Sequence, residues 1–531
     1  MKIKYIFSAL ALASVAFTAC TDLDTTPEGG TLTSDKKSEI LNAMPERGEA
    51  GVRAIYAGMN VYAANYDALG TFRHSDFGFG SVLYFLDANT EDNISSPNGY
   101  NWSGNSLKFN DRIYTSYESQ IVWNDHYQII YAANNVCAGY TENEPTDDKA
   151  RYFYAQGLAT RAHMYMSLAQ LYQFTYKGNE SKPCVPIITD VNSADAAQNG
   201  APRNTVEEVY AQIKGDIDHA IELLTDNKTA RTDKRYISLG VAYGIRARMN
   251  LVMQNWAEAA ADAQNAIAEA TKEGIAPASI TDVSLPTFAE ATEKNWMWGI
   301  IIAETDDVVS SGIVNWISHC GTFNYGYGQY SGGHQISKKI YDQIPETDVR
   351  KGWWSGADGV NTYLPEKYNE YLSAYGFAPY TNCKFGTYTG ELECDVNAND
   401  IPLMRIEEMY LIAAEAMAKA GQDGKGYLEA FVKTYRDPSY TCKGDVQEAV
   451  YFQKRVELWG EGIIWFDVMR LNKGVDRRGA GFDATTVFNI QPGDPILLWR
   501  IPQAEIEANP ALTDADNNET VAAPKPVADT E

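Results

Sequence analysis

The sequence predicts a mainly α fold in which paired helices form a scaffold for a more irregular, loop-rich portion. Two observations carry this. Apolar residues recur at helical spacing in several long stretches, while strict alternation, the mark of a half-buried strand, is scarce. Between those stretches lie segments dense in Gly, Tyr, Trp, Ser and Asn, from Tyr66 to Asn110 and from about Asp306 to Asp400, which cannot pack as regular helix throughout. A loop-rich region of that length inside a folded protein usually has a functional role.

The chain opens with the basic stretch Met1-Lys2-Ile3-Lys4-Tyr5 and an uncharged apolar run from Ile6 to Ala19, the layout of a secretory leader over residues 1–19. The run is shorter than the roughly 20 residues that a hydrocarbon core requires. Phe17-Thr18-Ala19-Cys20 is similar to a bacterial lipobox, with Phe where Leu is usual, so Cys20 is expected to carry acyl chains holding the protein to a Gram-negative outer membrane. Residues 20–40 begin Cys20-Thr21-Asp22-Leu23-Asp24 and read as a flexible tether, whose early acidic residues resemble signals for export to the cell surface.

Helices are expected over Arg151 to Tyr172, where Ala155, Ala159 and Ala162 admit a close neighbour, and from Val206, after the cap signal Asn204-Thr205 with Glu207 and Glu208. From Leu239 to Glu269, Tyr243 and Ala247 precede a break near Gln254-Asn255, followed by Trp256, Ala259, Ala260, Ala263 and Ala266. This resembles a tetratricopeptide helix pair, although Asn250 stands where an aromatic is usual. Met404 to Ala420 and Val446 to Leu458 read as two later helices. Trp296 and Trp298 lead into Ile300-Ile301-Ile302 and are expected in the core, and the acidic stretch Ala511 to Glu531 is expected to fray.

The formal charge is −26, and removing Lys2 and Lys4 with the leader makes it −28. Such a surface disfavours nucleic acid and anionic lipid headgroups. Of the cysteines beyond Cys20, Cys383 and Cys394 are the nearest candidates for a local bridge, the others reading as buried thiols. No H-E-x-x-H, G-x-S-x-G or G-x-x-x-x-G-K occurs, and the spacing of Asp87, Glu91 and Asp92 fits no cation loop. No catalytic residue, metal ligand or cofactor is assigned.

Three stretches carry a resemblance to one family. Lys454-Arg455-Val456-Glu457-Leu458-Trp459-Gly460-Glu461-Gly462 and the following Ile463-Ile464-Trp465-Phe466-Asp467-Val468-Met469-Arg470 resemble the late motif of the SusD/RagB nutrient-binding lipoproteins. Arg405-Ile406-Glu407-Glu408 through Glu415-Ala416, and Ile501-Pro502-Gln503 through Pro510, are similar to two further segments of that family. The resemblance spans essentially the whole chain. It implies tetratricopeptide-like helix pairs with an irregular ligand-binding portion, divided as residues 41–280, residues 281–510 and a tail of residues 511–531. It also implies a surface lipoprotein that binds oligosaccharides without cutting them and delivers them to a SusC-like TonB-dependent transporter. In the late motif, charges alternate with large apolar residues, so Arg455, Glu457, Glu461, Asp467 and Arg470 are expected to pair and lock helix packing rather than touch ligand.

A sugar ring has C–H faces that pack on aromatic rings and a hydroxyl rim that pairs with short polar groups. The two loop segments offer Arg73, Asp76, Tyr100, Asn101 and Trp102 in the first, and Tyr325, Tyr327, Trp353 and Trp354 in the second, as candidate contacts. Two other classes stay open: a glycan hydrolase working through a carboxylate pair, and a scaffold or peptide-binding surface lipoprotein.

Overall fold

The structure, a computed structural model, describes residues 34–284 and 288–530. The leader, Cys20 and most of the expected tether lie outside the described residues. Helix begins at Ser34, so the last part of residues 20–40 is α1 (Ser34–Ala43) rather than loose chain. Among the described residues no helix is long and apolar enough to cross a membrane.

The fold is mainly helical, as expected. The helices that frame it are α2 (Glu49–Gly58), α3 (Phe79–Asn89), α4 (Tyr117–Cys137), α5 (Asp148–Tyr172), α6 (Val206–Leu224), α7 (Leu239–Met253) and α8 (Trp256–Lys272). Later come α9 (Ile406–Lys419), α10 (Gly424–Tyr435), α11 (Val446–Glu457) and α12 (Ile464–Arg470). Successive helices pack as α4 on α5, α5 on α6, α7 on α8 and α9 on α10, with α8 also against α9, joining the early and late halves. The starts follow local chemistry. Asp147 accepts from the Lys149 and Ala150 amides at the head of α5, and Thr205 with Glu208 forms a reciprocal capping box at α6.

Small residues let these helices approach. Ala155, Ala159 and Ala162 of α5 and Ala259, Ala263 and Ala266 of α8 are fully enclosed. Asn250, the departure from the repeat consensus, has a partner: its Nδ2 donates to Asp262 at 2.9 Å, and Asp262 also holds Arg246 at 2.7 Å. A polar clasp between α7 and α8 does there what an aromatic contact does in the consensus.

Three short antiparallel pairings tie distant segments together. β1 (Asn93–Ser95) pairs with β3 (His334–Ile336), β2 (Trp296–Ile300) with β4 (Ile401–Arg405), and β5 (Val475–Asp476) with β6 (Asn489–Ile490). Met404, expected in a helix, lies in β4, and the helix starts at Ile406. Trp296 and Trp298 are in the core as expected, and the Trp298 indole donates to the Arg235 carbonyl at 2.9 Å.

The late motif builds a buried ion network. Glu457 accepts from Arg350 at 3.2 Å, Arg405 at 3.0 Å and Arg436 at 2.7 Å, and Glu461 accepts from Lys384 at 2.6 Å and Arg405 at 2.8 Å. Arg470 bridges Glu415 at 2.7 Å and Asp467, and Lys454 donates to Asp467 at 2.9 Å. Arg455 reaches Glu91 at 2.7 Å and Asp92 at 2.9 Å, the carboxylates weighed above for a cation. Burial alone would push the Glu457 carboxyl up, but the Arg436, Arg405 and Arg350 guanidiniums hold it well below the ordinary carboxylate range.

Two expectations are corrected. Cys383 and Cys394 are both free and buried: their thiols donate to the Thr381 carbonyl at 3.6 Å and the Val396 carbonyl at 3.2 Å, so each is already used locally. The tail is docked at several points, although most of its side chains are exposed. Asn518 Nδ2 donates to the Tyr172 and Trp499 carbonyls at 2.9 and 2.7 Å, Arg203 Nη1 donates to the Asp516 carbonyl at 2.7 Å, and the Val527 amide bonds to Val487 at 2.9 Å. Polar side chains that read as solvated fraying in sequence thus satisfy carbonyls at the ends of other elements.

Because three guanidiniums converge on Glu457, Glu457→Gln is expected to destabilise the chain by about 3–5 kcal/mol, the usual cost of breaking a buried pair from one side. Since the folded carboxyl is depressed, its stabilising share is present above the unfolded carboxyl value and lost as pH falls toward the folded one. Urea denaturation at neutral pH measures the effect, and a midpoint unchanged in the variant would contradict the role given to the network.

Candidate functional site

The two loop segments singled out in the sequence meet in space. β1 runs against β3 with Ile94 opposite Gln335, which lays the chain after Ser95 beside the chain before His334. Asn98 Nδ2 donates across the seam to the Ser331 carbonyl at 3.0 Å. On this seam the Tyr100 and Tyr330 rings lie 5.7 Å apart, and Tyr325 stands edge-on to Tyr330 at 5.8 Å. All three are about half exposed, at 53%, 51% and 45%. Tyr375, exposed to a similar degree, leans on the buried Tyr371 ring at 4.7 Å, and its hydroxyl donates to Glu393.

The backbone explains why these rings point outward. A Cβ on Gly326 would meet the Ser318 carbonyl oxygen at 2.7 Å, and one on Gly328 would meet the Gly321 carbonyl at 2.3 Å. Only glycine lets this turn press onto the chain beneath it, which leaves Tyr325, Tyr327 and Tyr330 to project from a tight short helix over Tyr327–Tyr330. Gln329 turns the other way and donates to the Tyr371 hydroxyl at 2.9 Å, which in turn donates to the Thr322 carbonyl at 3.1 Å.

A second tier lies beside the exposed rings. Trp102 is half-buried, with His74 stacked on it at 4.8 Å and Tyr327 edge-on at 5.9 Å. Burial, followed by the nearby Arg73, lowers the His74 pKa, so a neutral imidazole faces the Tyr327 hydroxyl at Nδ1. Arg73 sits over the Trp102 ring at 4.8 Å and the Tyr117 ring at 4.6 Å, with Glu118 at 3.8 Å.

Five of the candidates therefore come together in this region: Tyr100, Tyr325, Trp102, Tyr327 and Arg73. Four do not present themselves to a ligand. Asp76 is buried, accepting from the Asn65 amide at 2.8 Å and the Asn65 side chain at 3.0 Å, and it anchors the loop that carries Arg73 and His74. Asn101 is turned inward between Ser95 at 2.9 Å and the Ser96 carbonyl at 2.8 Å, so it shapes the loop below Tyr100. Trp353 and Trp354 are 5% and 1% exposed. The Trp353 indole donates to the Val283 carbonyl at 2.9 Å, and Trp354 packs edge-on against Trp459 at 5.6 Å. Arg350, three residues before Trp353, pairs with Glu457 and Asp348, and the ion network draws this segment into the core.

Tyr330, part of the second loop segment, joins the site together with Tyr375 and His74, neither of which is among the candidate contacts above. Tyr330 lies five residues after Tyr325 in the same Gly-rich run, and Tyr375-Gly376-Phe377 follows a polar helix end. Tyr375 carries the same aromatic-plus-glycine signal, and His74 carries none. Among the described residues, no group of three or more His, Cys, Asp and Glu side chains is placed to hold a metal ion.

Against known proteins, residues 81–251 match a SusD-like family described as starch-binding and associating with the outer membrane, and residues 318–518 match the SusD family. The chain belongs to the SusD/RagB family. Solved structures of this superfamily share its fold. A SusD-like carbohydrate binding protein from Bacteroides vulgatus aligns at TM-score 0.72 and 23% identity, over 90% of this chain and 98% of its own. Surface glycan-binding protein A from Bacteroides thetaiotaomicron, solved with laminarihexaose, aligns at 0.62 and 17%, over 89% and 99%. A laminarin binding SusD-like protein aligns at 0.58 and 18%, over 88% and 98%. No curated protein matches the chain.

Behind the loop that carries Arg73 and His74, Asn65 Nδ2 also donates to the enclosed Asp125 at 2.9 Å, so two carboxyls share one amide. Burial raises both, and Asp76 raises Asp125 further. A carboxyl raised in the folded state contributes stability below its unfolded value and loses it as pH climbs through the folded value. Asp125→Asn is thus expected to gain stability relative to the parent chain as pH goes from about 4 to about 8. Denaturation midpoints of the two proteins across that range test it; a constant offset would refute the pairing.

Proposed function

We propose that this protein captures oligosaccharides at its surface without cleaving them and passes them to a SusC-like TonB-dependent transporter. In this reading Cys20 anchors it by lipid to the outer membrane, facing outward. The observation that carries the proposal is the platform of Tyr100, Tyr325, Tyr330 and Tyr375, half-exposed rings set on loops that are hydrogen-bonded from beneath. Large apolar faces held rigidly in water lose little entropy on binding, and sugar C–H faces suit them. The family description, starch-binding and associating with the outer membrane, supports both the ligand class and the location. Two structural relatives described with laminarin or laminarihexaose support it further.

The placement of the carboxyls favours binding over hydrolysis. A glycosidase needs an acid that reaches the glycosidic oxygen. Of the carboxyls that burial pushes upward, Asp76, Asp87, Glu118, Asp125 and Asp400 are enclosed and Glu293 is half-buried with its carboxyl accepting from the Ala289 amide at 2.8 Å, whereas Glu393 at the platform edge accepts from Tyr375.

Tyr330→Ala is expected to weaken oligosaccharide binding by about tenfold or more, as truncating a central aromatic contact commonly does, while its melting temperature stays near that of the parent. Affinity electrophoresis against starch, laminarin, xylan and pectin measures the first, and product analysis after incubation checks that no sugar is released. Sugar release that Tyr330→Ala leaves intact would favour the hydrolase reading. Co-purification with a β-barrel transporter from outer membranes tests the delivery step.

A further inference from the structure

We infer a second carbohydrate-contacting surface that continues the platform: an aromatic strip of Phe72, Tyr66 and Tyr62 running into a polar groove, so that a long glycan lies across both. The inference rests on the platform reading above and extends it to chain length. Phe72 and Tyr66 are 52% and 42% exposed and lie 4.3 Å apart, and Tyr62 stacks on Phe72 at 6.0 Å with its ring 15° from parallel. Large apolar rings grouped in water on one loop call for a partner with matching faces.

Adjacency in the chain, together with ring contacts, connects this strip to the platform. Phe72 adjoins Arg73, whose guanidinium covers Trp102, and Trp102 lies two residues from Tyr100 and in edge contact with Tyr327. On its other side, Tyr62 lines a groove of about 690 Å³ between the end of α2 and the segments around Asp233 and Asp306. That volume falls in the range of small-molecule sites.

The groove's chemistry suits hydroxyl-rich chains. Asn60 donates to Asp306 at 3.0 Å, Arg53 pairs with Glu49 at 2.7 Å, and Arg235 pairs with Asp233 at 3.0 Å. Donors and acceptors thus stand side by side, with the carboxylates of Glu49, Asp233, Asp306 and Asp307 outnumbering the guanidiniums of Arg53 and Arg235, and a sugar hydroxyl offers both functions at once. An acidic polymer would be repelled by this excess of carboxylates. The strip therefore fits a neutral glycan long enough to leave the Tyr100–Tyr330 end and continue past Arg73.

The test uses the leaderless chain with short and long size fractions from hydrolysates of starch, laminarin, xylan and pectin, read by calorimetry. The parent chain is expected to bind the long fraction of at least one glycan about tenfold more tightly than the short one. Phe72→Ala with Tyr66→Ala is expected to remove that difference while leaving short-fraction affinity within about twofold, whereas Tyr100→Ala with Tyr330→Ala weakens both. Circular dichroism and melting curves confirm that each variant folds. If glycan binds but the Phe72/Tyr66 variant keeps the full length dependence, or the parent has none, the strip is not a glycan surface and the platform reading survives. If instead that variant binds every fraction like the parent but loses co-purification with the transporter, the strip belongs to the transporter contact. Failure of every fraction to bind the parent chain overturns the platform reading and this inference with it.

Discussion

The irregular half of this protein has little regular secondary structure to hold it, and one buried carboxylate does much of that work. Glu457, at the end of α11, draws in Arg405 from β4, Arg436 from the end of α10 and Arg350 from the 3-10 helix Val349–Trp353. Glu461, four residues on, adds Lys384 from the loop segment. Each of these charges has lost its water, so each is tolerable only while its partners stay in place. That mutual dependence fixes the position of segments far apart in sequence, and Trp353 and Trp354 are carried into the core with Arg350 and Lys351.

The platform sits on the opposite kind of surface. Its rings are outside, and the polar groups that fix them are inside: Asn98 to Ser331, Asn101 to Ser95, Gln329 to Tyr371. Loops built this way hold a shape without a sheet or helix of their own, since each turn finds its hydrogen-bond partners in neighbouring turns. Rings fixed in advance need little ordering when a ligand arrives, which is why hydrogen-bonded loops rather than mobile ones suit capture from dilute solution.

Much was legible before any tertiary contact was known. The helices at Arg151 to Tyr172, Val206 onward and Leu239 to Glu269 announced themselves through apolar period and caps, because helices are stabilised by residues three and four apart. The pairing role of Arg455, Glu457, Glu461, Asp467 and Arg470 was also readable, since charges embedded among large apolar residues have to be neutralised if the segment is buried. Met404 belongs to β4 rather than to the helix that follows, and a five-residue strand leaves too short a pattern to separate from that helix in sequence.

Sequence alone determined the helical scaffold, the family motifs and the loops from which a binding surface would come, since all of these follow from local spacing and residue type. Only the tertiary structure decided which aromatic residues are on the surface. Tyr100 and Trp353 stand in similar Gly-rich surroundings, yet one projects into water and the other donates its indole to Val283. The same holds for Cys383 and Cys394, which remain separate thiols, and for the tail, which docks through Asn517 and Asn518. Burial and pairing in these cases depend on partners far away in the chain, such as Tyr172 for Asn518, and no local pattern encodes the identity of a distant partner.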